Sequence, residues 1–196
     1  MITSLAELDS SQRYSYADYL TWKFAERIEL LKGYIRRMAA PGVKHQKISA
    51  RLTKSLLLFF ENKQCEVFHA PFDVRLYDRR RSVLEDKEVY TVVQPDLCVV
   101  CDAEKLADGR GCNGAPDWII EIISPASAIT DTKDKFELYQ EAGVGEYWIV
   151  YPNEAIVQQY VLQQGRFVYE NVFTAEDKAT SALFPHLQIS MAEVFK

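Results

Sequence analysis

Asp117-Trp-Ile-Ile-Glu-Ile-Ile123, closed by Ser124-Pro125, sets the architecture. Apolar residues occupy both parities of this run, which is the pattern of a central strand covered on both faces rather than a half-exposed one. Downstream, Asp131 to about Ala142 reads as a helix, with Asp131 as its cap, Asp134 three residues on in a capping-box arrangement, and Gly143 as its stop. Glu146-Tyr-Trp-Ile-Val-Tyr151 is the next strand, so the centre of the chain is a strand–helix–strand crossover with two parallel strands. Upstream, Val67 to Tyr77 and Val89 to Cys101 read as two further strands joined by a charged connection through Arg79-Arg80-Arg81 and Lys87.

The flanks extend this frame. Lys44 to Asn62 is a helix with an apolar stripe (Ile48, Leu52, Leu56, Phe59) and a basic one (Lys44, Lys47, Arg51, Lys54). Arg27 to Met38 is a hairpin turning at Lys32-Gly33, and Ser15 to Trp22 is a short helix. Ile156–Leu162 and Arg166–Phe173 form a second hairpin around Gln164-Gly165, and a tail helix follows Ser190. The fold class is therefore α/β with a mixed central sheet and added hairpins. With no repeat and no linker, residues 1–196 read as one domain, its core at about 27–152 and a C-terminal hairpin and tail at 153–196.

Composition sets bounds on function. The 196 residues carry 48% hydrophobic and 26% charged side chains, ordinary values for a globular chain. There is no run of ~18 apolar residues and no basic-then-apolar leader, so we expect a cytoplasmic protein without membrane contact. The net charge of −5 argues against nucleic acid only as an average. Residues 1–81 hold 15 Lys and Arg against 9 Asp and Glu, and residues 82–196 hold 8 against 19. The chain is basic in front and acidic behind. Cys98 and Cys101 have C-x-x-C spacing, but on a strand they point to opposite faces, so with Cys65 and Cys112 they read as buried reduced thiols rather than a metal or redox site. Motifs for an α/β-hydrolase nucleophile, a P-loop, a zincin helix and a dinucleotide-binding turn are absent.

What remains is carboxylates in apolar surroundings. Asp96 follows Pro95 among Val92, Val93, Leu97 and Val99, and Glu121 sits inside the central strand. Buried charges are costly unless paired or metal-bound. On neighbouring strands and facing one side, the two would make an oxygen-rich site suited to Mg²⁺ or Mn²⁺. A metal-free acid/base pair is the alternative reading of the same residues.

Pro95-Asp96 followed by Glu121-Ile-Ile123 resembles the PD-(D/E)XK signature of the restriction-endonuclease-like nucleases, and the order helix, three strands, helix, strand is similar to that superfamily's core. More narrowly, the ordered blocks resemble the Uma-two endonuclease family. They are Glu29-Leu-Leu-Lys-Gly33, Met38-Ala-Ala-Pro41 with His45-Gln46, Phe72-Asp-Val-Arg75, Gln94-Pro-Asp96, Glu121-Ile-Ile-Ser-Pro125, Asp131 to Lys135 with Tyr139, and Gly143-Val-Gly-Glu-Tyr-Trp148. One departure matters: where the signature has Lys, two residues past the acid, this chain has Ile123. Lys135, sharing a helix face with Leu138, Tyr139 and Ala142, is the natural replacement, and the resemblance implies such a relocated lysine.

The resemblance implies a metal-dependent endonuclease acting on DNA. Asp96 and Glu121, with the Ile122 carbonyl, would hold Mg²⁺ or Mn²⁺, and Lys135 would complete the catalytic set. Glu29, His45, Gln46, Asp73 and Gln94 match family blocks as supporting or substrate-binding residues, although an Asp73–Arg75 ion pair explains Asp73 equally well. Arg36, Arg37, Lys44, Lys47, Arg51, Lys54 and Arg79-Arg80-Arg81 are candidate phosphate contacts. A homodimer is compatible with this reading, since two cuts need two sites. The alternative function is a catalytically weak nucleic-acid-binding or interaction domain on the same fold.

Overall fold

The structure, a computed structural model, describes residues 2–81, 84–125 and 129–196. In chain order the elements are α1 (Tyr16–Tyr19), the hairpin β1 (Ile28–Leu31) and β2 (Tyr34–Arg37), α2 (Val43–Phe60), β3 (Glu66–His69), β4 (Val74–Leu76), β5 (Thr91–Val93), β6 (Leu97–Val100), β7 (Cys112–Asn113), β8 (Trp118–Ile122), α3 (Lys135–Ala142), β9 (Glu146–Tyr151), β10 (Ile156–Gln163), β11 (Arg166–Thr174), β12 (Lys178–Thr180), β13 (Gln188–Ser190) and α4 (Met191–Phe195). They form a six-stranded sheet in the order β11-β10-β9-β8-β6-β3, a five-stranded sheet β2-β1-β5-β4-β7, and the small pair β12-β13.

The six-stranded sheet positions the site. Within it β3, β6 and β8 run antiparallel, and β8 pairs in parallel with β9 through the α3 crossover. Every residue of β8 is buried. Trp118, Ile120 and Ile122 pack on one face with the Ile48, Leu52, Leu56 and Phe60 row of α2. Ile119 packs on the other face with Leu138, Tyr139 and Ala142 of α3. The four-residue spacing of the α2 row carries it from Leu56 to Phe60, so Phe60 is the fully buried end and Phe59 only partly so.

Several sequence expectations are corrected. The expected strand Val67 to Tyr77 is two strands in different sheets, and so is Val89 to Cys101. Each breaks at a proline, Pro71 and Pro95, which has no N–H for a ladder. The crossover helix α3 starts at Lys135, after a π turn spanning Thr130–Asp134 that leads directly into it, and the expected cap by the Asp131 side chain lies outside what is described. Gly143 ends α3 in the left-handed region as expected, at φ +92°. The four cysteines are not all thiols: Cys65 and Cys101, next in register after the pair Glu66–Val100, are joined in a disulfide, while Cys98 and Cys112 are free and buried. No helix among the described residues is long and apolar enough to cross a membrane.

Candidate active site

Pro95 creates the site's geometry. It ends β5, and β6 begins at Leu97 in the other sheet, so Asp96 stands at the seam between the two sheets. The β6–β8 register, Leu97 opposite Ile120, places Asp96 across from Glu121 one step further on. Backbone and side chain then interlock. The Asp96 N–H donates to Glu121 Oε2 (3.3 Å), and the Ile122 N–H donates to Asp96 Oδ2 (2.8 Å).

Two helices and the first hairpin complete the cluster. Lys135, the first residue of α3, donates from Nζ to Glu121 Oε1 (3.0 Å) and lies 2.8 Å from Glu29 Oε1 on β1. One turn on, the Tyr139 hydroxyl donates to Glu121 Oε1 (2.6 Å). Burial above all, then the Glu121 charge, holds that phenol well above its ordinary pKa, so it remains a donor. Glu29 Oε1 also accepts from the Gln94 N–H (2.8 Å). From α2, His45 Nε2 meets Asp96 Oδ2 at 3.0 Å. The π turn immediately before Lys135 sets its angular position, the kind of irregularity that recurs at functional sites.

Glu29, Glu121 and Lys135 are almost wholly buried, with side-chain exposures of 4–5%, whereas Asp96 is 19% exposed and His45 13%. Asp96, Glu121, Ile122, His45, Gln94 and Lys135 line a cleft of about 370 Å³, and Arg27, Arg36 and Arg37 stand along it. Asp96 Oδ1 accepts no hydrogen bond among the described residues, so the most exposed carboxylate keeps an oxygen available. Among those residues no group of three or more His, Cys, Asp and Glu side chains forms a ready-made metal cage. The donors fit Mg²⁺ or Mn²⁺ in another way: hard cations of this type use one or two carboxylates and complete their shell with water and phosphate.

The remaining sequence candidates separate. Gln94 Oε1 accepts from Arg27 Nε (3.1 Å) and Nη2 (2.8 Å), while its Nε2 donates to Asp73 Oδ1 (2.8 Å), which also accepts from the Tyr19 hydroxyl (3.2 Å). This polar chain behind the cleft carried no local signal, because its members lie up to 75 residues apart. Asp73 does not pair with Arg75. The Arg75 guanidinium binds Asp108 in a fork (2.6 and 2.9 Å), a partner 33 residues away that strand alternation cannot reveal. Gln46 is exposed on the outer side of α2 and does not line the cleft, since one residue along a helix turns the side chain about 100° from His45.

The basic candidates divide likewise. Arg36 and Arg37 line the cleft, and Lys44, Lys47 and Lys54 are exposed on α2. Arg51 is committed elsewhere, donating to the Val194 and Lys196 carbonyls and so tying α2 to the chain's end. Arg79 packs against Gly143, at the opposite end of α3 from Lys135. Arg80 pairs with Asp78, and Arg81 with Glu88.

The profile of the Uma2 family, described as "Putative restriction endonuclease", matches residues 16–192. The chain belongs to the Uma2 family. Two uncharacterized proteins of Synechocystis sp. are similar in sequence: slr1290, 25% identical over 65% of this chain and 62% of that protein, and sll1609, 27% identical over 59% and 60%. This Uma2 chain thus spans about three-fifths of the length of those relatives. A crystal structure of "a putative nuclease belonging to DUF820" from Anabaena variabilis superposes with a TM-score of 0.70, covering 93% of this chain and 97% of that one at 20% identity. That likeness shows the fold. The Uma2 chain has a restriction-endonuclease-like α/β core, with α2, the strands β3, β6 and β8, α3, and β9 in the expected order.

Proposed function

We propose that this chain is a divalent-metal-dependent endonuclease that hydrolyses phosphodiester bonds in DNA, of the PD-(D/E)XK type with its lysine moved from β8 to the first residue of α3. The observation that carries the reading is the meeting of Asp96, Glu121 and Lys135 at one cleft, although Ile123 occupies the usual lysine place. Mg²⁺ or Mn²⁺ held by Asp96, Glu121 and the Ile122 carbonyl would neutralise phosphate charge and acidify a bound water. Lys135, gripped between Glu29 and Glu121, presents a fixed positive charge where negative charge develops on the phosphate. Tyr139 and His45 keep the two carboxylates from rotating away from the cleft. Arg27, Arg36 and Arg37 hold the phosphate backbone along its wall.

The test is cleavage of plasmid DNA by the purified chain, with Mg²⁺ or Mn²⁺ and with a chelator. The parent should cut only with metal. D96N, E121Q and K135M should each lose about 100-fold or more, the scale of removing one preorganised charge from a phosphoryl or oxyanion site. Metal-independent cutting would overturn the metal's role. DNA binding without cleavage by the parent would assign the chain to the alternative, a binding domain on this fold.

A further inference from the structure

The sheet face that carries Glu121 continues past the cleft onto β9, β10 and β11. Glu121 alternates with Ile119, whose cluster beneath α3 also holds Ile149 and Tyr151 of β9 and Tyr160 of β10. The pairings of Glu121 with Ile149, and of Ile149 with Gln158, set Gln158 in the same cross-strand row. Its backbone is therefore two strand spacings, about 10 Å, from that of Glu121. Two phenols hold the Gln158 amide in one orientation. Its Oε1 accepts from the Tyr151 hydroxyl (3.2 Å) and from the Tyr160 hydroxyl (3.1 Å). Its Nε2 makes no hydrogen bond among the described residues and is open to solvent.

A β-bulge sets an aromatic ring beside that amide. Tyr169 pairs with Tyr160 and Val172 with Gln158, and Glu170 is the extra residue between the Tyr169 and Asn171 pairs. On a regular strand, residues three apart face opposite sides. Here the bulge turns Tyr169 and Val172 to the one side shared by Tyr160 and Gln158. Tyr169 is 52% exposed and Val172 39%, and the Tyr169 ring meets the Tyr160 ring edge to face at 5.7 Å. Bulges of this kind recur beside active sites, where they re-aim a side chain.

An open aromatic ring, an apolar neighbour and one oriented amide donor suit a flat heterocycle that carries hydrogen-bond acceptors. A nucleobase is such a group, but a duplex covers its faces with the neighbouring bases, so only an unpaired base can stack on a side chain. We propose that Tyr169 and Gln158 bind an unpaired nucleobase of the strand whose backbone lies in the cleft. The base stacks on Tyr169, and Gln158 Nε2 donates to an acceptor on its edge. Tyr151 and Tyr160 are positioning residues that act through the amide they hold. Given the nuclease reading above, on which this role depends, the preferred substrate is DNA with an unpaired base close to the scissile phosphate.

Fluorescence anisotropy at low salt and in chelator tests this, with labelled oligonucleotides of roughly 20 residues. Thermal melts confirm that each variant folds. The parent should bind the single strand more tightly than the same sequence as a duplex. Y169A should weaken single-strand binding about tenfold, the scale of one base stack, and Q158L about fivefold, the scale of one hydrogen bond. Neither should change duplex binding. An abasic strand of equal length keeps the phosphates and should bind the parent and Y169A alike. A parent that binds the single strand no more tightly than the duplex overturns the proposal. So does single-strand binding that both variants leave unchanged, and so does an equal loss for strand and duplex. A parent that shows the expected pattern but does not cut plasmid with Mg²⁺ keeps this site and fails the nuclease reading alone.

Discussion

Lys135→Met removes the buried cation while keeping most of its aliphatic stem. Its Nζ lies 2.8 Å from Glu29 Oε1 and 3.0 Å from Glu121 Oε1, with all three side chains at or below 5% exposure. The variant takes the ammonium away from both buried carboxylates, and breaking a buried pair in this way costs about 3–5 kcal/mol. The hydrogen bonds from Gln94 to Glu29 and from Tyr139 to Glu121 survive, which keeps the loss from doubling. For a chain of this length each kcal/mol moves the midpoint by ~2–4 °C, so K135M should melt roughly 6–20 °C below the parent. Arg80→Met serves as the internal control, since its pair with Asp78 is solvent-exposed and screening by water leaves such pairs little net contribution. Adding Glu29→Gln to K135M removes one uncompensated charge and should recover part of the loss, whereas E29Q alone should destabilise. Scanning calorimetry of the four proteins gives the coupling directly. A K135M midpoint within about 2 °C of the parent, or no coupling to Glu29, would refute the view of Lys135 as the buried countercharge. Cleavage by K135M is then best measured well below its own midpoint.

Three further outcomes are expected. Asp108→Asn removes the charge that the wholly buried Arg75 binds in a fork, leaving it the longer ion pair to Asp86 (3.9 Å), and should cost about 2 kcal/mol at pH 7. The Arg75 hydrogen bonds depress the Asp108 pKa to about 2, so this stabilisation is complete above the unfolded carboxylate range and lost as pH falls toward 2; urea melts of parent and D108N should converge there. Asp73→Asn should leave stability unchanged or raised at pH 7, because burial raises the Asp73 pKa and its Oδ1 bonds from Gln94 and Tyr19 suit an amide oxygen equally. The sign is opposite to Asp108: parent stability falls as pH rises through the raised value, so any advantage of D73N should vanish below about pH 4, as urea melts at the two pH values will show. Cys65→Ser opens the bridge to Cys101 across 36 residues and should cost about 4 kcal/mol by loop closure, an effect that a reductant reproduces in the parent and not in the variant.

Periodicity over a few residues was enough for β8, for the buried row of α2 as far as Leu56, for the β1–β2 turn at Lys32-Gly33 and for the end of α3 at Gly143, because each depends on neighbours within one or two turns. The candidate site was legible in a narrower sense. Asp96 and Glu121 stood out as charges in apolar runs, and the Ile123 departure directed attention to Lys135. The strand breaks at Pro71 and Pro95 were written in the sequence too, but the surrounding apolar residues masked them.

Local order alone determined that a central strand, a crossover helix and the basic helix α2 exist, since these follow from side-chain spacing and backbone preference. Only the tertiary structure decided what the charged groups do. It gave Arg75 to Asp108 rather than Asp73, turned Gln46 outward, drew Gln94 between Arg27 and Asp73, joined Cys65 to Cys101, and enclosed Lys135 between two carboxylates from different sheets. The reason is physical: a buried charge or polar group must find a partner wherever the fold supplies one, and that partner's distance along the chain carries no periodic signal.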